Sequence, residues 1–100
     1  MIVFATGSEP ETTPEQRFER LLELPPSAKL VYRVLEQEDS PLTQGQIRRQ
    51  ALLPARTTRD ALTKLEDDGL IEEQMYVPDA RKRLYLPRPV SVPEDAELTA

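Results

Sequence analysis

Between Leu42 and Ile71 the chain reads LTQGQIRRQALLPARTTRDALTKLEDDGLI. These thirty residues hold two helix starts, one break and one stop. Thr43 followed three positions later by Gln46 is a capping box, in which each residue's side chain satisfies the other's backbone N–H. Leu42, just ahead of the cap, is placed to staple onto Ile47. This helix is expected to run to about Ala51. Leu52-Leu53-Pro54 then interrupts it, since proline has no N–H to continue a helix but suits the first turn of a new one. The next helix opens at Pro54 or Ala55, and Gly69 fits a left-handed stop.

Stepping 100° per residue along the second of these helices sets Thr58, Ala61, Leu62 and Leu65 within one arc. Arg56, Asp60 and Thr63 fall opposite, with Arg59 on one shoulder and Thr57 and Lys64 on the other. One side is for a core and the other for something else. Charge follows the same division. Residues 43–64 sum to +4 and residues 79–88 to +3, while the rest of the chain sums to −12. The overall −5 therefore hides two basic segments in an acidic body, and this asymmetry is the functional signal. Ten arginines against three lysines beside an acidic excess also match the composition of proteins from salt-loving organisms.

One hundred residues make one domain with a modest core. Cysteine and histidine are both absent. This excludes disulfides, thiolate metal sites and nucleophiles activated by histidine, so no enzyme is expected. The acidic run Glu66-Asp67-Asp68 with Glu72-Glu73 lacks the spaced loop of a calcium site, and neither a metal nor any cofactor is expected. Met1–Ala5 is too short to span a bilayer and lacks the flanks of a signal peptide, which makes the cytoplasm the expected location.

Elsewhere, residues 1–13 read as a polar, flexible lead-in. A helix is expected over 14–24, with Thr13 as its cap and Phe18, Leu21 and Leu22 at helical spacing. Pro25-Pro26 ends it, and Ser27 can cap the next helix, whose Leu30, Val31, Val34 and Leu35 form a stripe. Leu70 to Val77 is a plausible strand with Ile71, Met75 and Val77 roughly alternating. Pro78-Asp79-Ala80-Arg81-Lys82 turns the chain into a second strand, Leu84 and Leu86 sharing a side. Tyr32, Tyr76 and Tyr85 read as packing residues rather than base-stacking platforms. Residues 88–100 look like an extended or disordered tail. The fold class is thus mainly α with a small β-hairpin wing, a winged helix-turn-helix over 14–87 with its core at 27–86.

The segment from Ser27 to Leu86 resembles the DNA-binding domain of MarR-like regulators and related archaeal helix-turn-helix proteins. The residues that carry the likeness are LTQGQIRRQALLPARTTRDALTKLEDDGLIEE and the wing VPDARKRLYL. Leu65, then three polar residues, then Gly69-Leu70-Ile71 is its most recognisable part. The resemblance implies that the helix from about Ala55 to Asp67 enters the major groove of double-stranded DNA.

The residues support the same assignment. Arg56 and Arg59 have the forked guanidinium that pairs with a guanine edge. Thr57 and Thr63 can meet phosphate or a thymine methyl group, and Asp60 can orient the arginines or accept from cytosine. Thr43 and Gln44 join the site from the start of the preceding helix. Arg48 and Arg49 have phosphate contact and plain exposure as even alternatives, with Arg48 carried into the site. Arg81, Lys82 and Arg83 are expected on the DNA backbone. Phe18, Leu21 and Leu22 are the candidates for a homodimer contact, since no helix is expected after the wing. No small-molecule effector is assigned. A winged helix serving protein contact in a multi-subunit assembly is the alternative, favoured by the acidic majority of the chain.

Overall fold

The structure is a computed structural model that describes residues 12–75, 78 and 82–91. Its elements run α1 (Pro14–Leu22), α2 (Pro26–Gln37), β1 (Leu42–Thr43), α3 (Gln44–Ala51), α4 (Ala55–Asp67), β2 (Ile71–Met75) and β3 (Arg83–Pro87). The strands form one antiparallel sheet in the order β1-β3-β2. Helices α2, α3 and α4 pack on one another and on the sheet. This is the expected class: helices with a small antiparallel wing.

The capping box expected at Thr43 forms, and Thr13, expected only as a cap, makes a second one. Thr13 Oγ1 accepts from the N–H of Gln16 at 3.1 Å, and Gln16 Oε1 accepts from Thr13 N–H at 2.9 Å. The pair Thr43 and Gln46 repeats this at 3.2 and 2.9 Å. Leu42 and Ile47, flanking the second box, are both buried in the core. Helix α1 stops two residues short of its expected end, with Glu23 as C-cap. Ser27 does not cap α2. Pro25 holds the cap position without a side-chain bond, and Pro26 opens the helix, because a residue with fixed φ and no N–H is suited to the first turn.

The core is built from Ala28, Val31, Tyr32, Val34 and Leu35 of α2, Leu42, Ile47 and Ala51, then Ala61, Leu62 and Leu65 of α4, with Leu70, Ile71 and Tyr85. Leu30, expected in the α2 stripe, is instead 42% exposed. Gly69 closes α4 at φ +73, with Leu70 N–H donating to Leu65 C=O at 2.8 Å and Gly69 N–H to Glu66 C=O at 3.0 Å. The two bonds make a Schellman stop, and the apolar Leu65 and Leu70 that flank it are fully buried.

One expectation about the wing holds, Leu84 and Leu86 sharing a side, and one, the alternation of Ile71 with Met75, is corrected. The inward residue of β3 is Tyr85, opposite Leu42 of β1, while Leu84 and Leu86 lie on the other face, half-buried. Of β2 only Ile71 is buried, and Met75 is exposed. Tyr76, Val77 and Arg81 lie outside the described residues. Residues 88–91, expected to begin the tail, are fastened along the body. Arg88 N–H donates to Leu70 C=O at 2.9 Å, Tyr32 Oη donates to Arg88 C=O, and Ser91 N–H donates to Pro14 C=O at 3.2 Å. Arg17 reaches Pro89 C=O at 2.8 Å and Thr12 C=O at 2.7 Å, and Val90 packs on the core.

Candidate nucleic-acid interface

Helix α4 sorts its residues as its periodicity requires. Thr58, Ala61, Leu62 and Leu65 are buried; Arg56, Arg59, Asp60, Thr63 and Lys64 are exposed, and Thr57 is half-buried. Thr58 survives burial because its hydroxyl donates to Pro54 C=O at 3.0 Å. The Thr63 hydroxyl likewise donates to Arg59 C=O at 3.0 Å, so it can still accept from a partner or present its methyl group, but its proton is committed. Pro54 gives α4 no side-chain cap, and no acidic residue sits in its first turn. The positive end of the helix dipole is left without compensation from its own cap or first turn. Among the described residues, Arg48, Arg49, Arg56, Arg59 and Lys64 form no ion pair.

The opposite end of α4 is acidic. Burial, then the Glu73 and Asp67 carboxylates, hold Glu66 above the ordinary glutamate range. Burial and nearby Glu73 and Glu66 raise the Tyr85 phenol in the same way. These shifts place Glu66, Glu73 and Tyr85 together at the base of the wing. The carbonyl of Asp68 takes a bond from Arg20 of α1 at 3.0 Å. Thus α4 runs from a basic first half to an acidic end anchored on the body. Among the described residues, no group of three carboxylates is arranged to hold a metal ion.

The wing meets α3. Thr43, Gln44, Gly45 and Arg49 line a shallow concavity with Lys82, Arg83 and Tyr85, and an adjoining one is lined by Gln46, Arg49, Lys82 and Leu84 among others. The structure therefore brings Thr43 and Gln44 to Lys82 and Arg83, as two of the expected groups. It adds Arg49, shared by both hollows, where Arg48 had been carried into the site. Arg49 falls about 180° from the midpoint between Ile47 and Ala51 on the helix wheel, a position readable from spacing alone. Arg83 is not a bare cation: its Nε lies 3.6 Å from Glu73 Oε2, a diagonal cross-strand pair. Arg88 and Glu72 make a second such pair at 3.7 Å.

Comparison with known structures decides the fold. A MarR family transcription regulator superposes with a TM-score of 0.63 at 18% identity, over 76% of this chain and 49% of that one. A mutant of S. aureus MepR gives 0.61 at 21% identity, over 75% and 55%. The fold is a winged helix of the MarR type. S. aureus MepR in complex with DNA gives 0.57 at 19% identity, over 73% of this chain and 59% of that one. The chain spans between about half and three-fifths of the length of these MarR-type structures. No family model and no curated protein matches the sequence. No helix among the described residues is long and apolar enough to cross a membrane.

Proposed function

We propose that this chain is a sequence-specific DNA-binding transcriptional regulator, with α4 as recognition helix in the major groove and the wing on the backbone. The observation that carries this reading is the exposed arc of α4. It presents Arg56 and Arg59 in its first half and Lys64 further along to solvent, with no ion pair among the described residues, in a protein of net charge −5. An acidic protein gains nothing for its own fold from leaving those cations unpaired, whereas a phosphate-rich groove supplies what they lack. The uncapped, uncompensated start of α4 suits phosphate for the same reason. A MarR-type fold that includes a DNA-bound example supports the reading.

Arg56 and Arg59 then read bases, while Arg49 and Lys82 hold phosphate and Arg83 exchanges its Glu73 partner for phosphate on binding. Thr43, Gln44, Thr57, Asp60, Thr63 and Lys64 complete the interface. A homodimer reading two half-sites fits the small footprint of one module. Its contact would use Phe18 and Leu22, because Leu21 is already packed on its own core. Sedimentation tests this, with Leu22→Glu expected to yield monomer.

The deciding experiment is a salt titration on duplexes selected from a random pool and on unselected DNA. Arg56→Ala is expected to cost about 1–3 kcal/mol on the selected site and little on random DNA. Lys82→Ala is expected to weaken both equally and to reduce the log–log salt slope by about 1. Equal losses for Arg56→Ala on both DNAs would remove its base-reading role. Absence of binding at any salt would favour protein contact, a reading to which the exposed Leu22 and Leu30 lend some support.

A further inference from the structure

The chain closes two helices in the same way but with different residues. After α4 the left-handed position is Gly69, at φ +73. After α3 it is Leu52, at φ 58 and ψ 42, with Leu53 N–H donating to Arg48 C=O at 3.2 Å across it. A branched side chain is strained in that conformation, and glycine is the ordinary occupant. Leucine is normally excused by burial, yet Leu52 is 88% exposed, well above the other large exposed apolar side chains among the described residues. Its neighbour Leu53 supplies the core contact of the turn. Leu52 therefore serves neither the cap nor the core.

Its surroundings indicate what it meets. Arg48 and Arg49 form the last turn of α3, Arg56 lies in the first turn of α4, and all three are exposed. An apolar side chain within four residues of three exposed arginines suits a surface that combines anionic and methyl groups. The major groove edge of DNA does so, with phosphates beside thymine 5-methyl groups. We propose that Leu52 is a specificity residue whose side chain packs against a thymine methyl group at the edge of the α4 footprint. The proposal rests on the DNA-binding reading above and extends it from charged to apolar readout.

The test uses the full chain as wild type, Leu52→Gly and Leu52→Asn, on a selected duplex and on copies in which single thymines are replaced by uracil, which lacks the methyl group. Both variants are expected to keep or raise Tm, since each residue tolerates the left-handed conformation. Affinity for the selected duplex is expected to fall about three- to tenfold, the scale of one or two lost methyl contacts. One uracil replacement should weaken the wild type by a similar factor and leave Leu52→Gly unaffected. Wild type and variants binding all duplexes alike, with Arg56→Ala still impaired, would overturn the proposal and turn attention to a protein partner at this turn. A fall in Tm of several degrees in both variants would overturn it too, by placing Leu52 in the support of the fold. Wild type that binds no DNA would remove this proposal together with the reading beneath it, and is told apart by the behaviour of the unmutated chain.

Discussion

Tyr32 shows what one side chain does in this fold and how little of it the sequence could tell. Its spacing on α2 makes it a packing residue, and it is 1% exposed. Its hydroxyl, however, donates to the carbonyl of Arg88, fifty-six positions away, a partner that local periodicity cannot name. Burial, reinforced by Glu36 and opposed by Arg17 and Arg33, raises its pKa from 10.0 to about 12. The folded state thus favours the protonated phenol. That stabilisation is whole below pH 10 and is lost as pH rises from 10 through 12. Tyr32→Phe is expected to lose about 1 kcal/mol at neutral pH from the missing hydrogen bond. Urea unfolding from pH 7 to 12 should show the gap between the two proteins closing above pH 10, because the variant has no phenol to ionise at this position. A gap that stays constant would mean the phenol titrates normally in the fold.

At the scale of elements, legibility followed how local the cause was. Helices α3 and α4 were readable because their starts, stops and buried faces are set by residues within four positions of one another. The capping box at Thr43 is such a cause: Thr43→Ala is expected to lower stability by about 1 kcal/mol, seen as a lower Tm. If Gln46→Ala in the Thr43→Ala background costs as much as it does alone, the two side chains do not act as one device. The α2 start was misread because Ser27 offers an attractive oxygen, while Pro26 had already taken the first turn. β1 has only two residues and owes its existence to pairing with β3. That pairing also decides the wing's inner face, since alternation along Arg83–Pro87 separates Tyr85 from Leu84 and Leu86 without saying which side is inward. Arg49 escaped the candidate site because its neighbours there, Lys82 and Arg83, come from thirty-odd residues later in the chain.

For the whole molecule the governing fact is a chain of net charge −5 whose positive charge is concentrated in two segments, residues 43–64 and 79–88, and this is legible in the sequence. On the proposed reading, DNA approaching the basic side of α4 and the wing is also repelled by carboxylates elsewhere, including the exposed Glu19 and Glu23 near the end of α1. Direct contacts survive salt better than this diffuse repulsion, whose range is about 30 Å at 0.01 M ionic strength and about 8 Å at 0.15 M. Replacing both glutamates by glutamine, which moves the net charge from −5 to −3, should raise the association rate with DNA about two- to fivefold at low salt. The gain should vanish near physiological ionic strength, while the dissociation rate stays unchanged throughout. Stopped-flow binding of labelled duplex across that salt range measures both rates. If the faster association persisted undiminished at high salt, the two carboxylates would have to lie against the duplex itself. The end of α1 would then belong to the interface, and α4 with its wing would no longer account for recognition on their own.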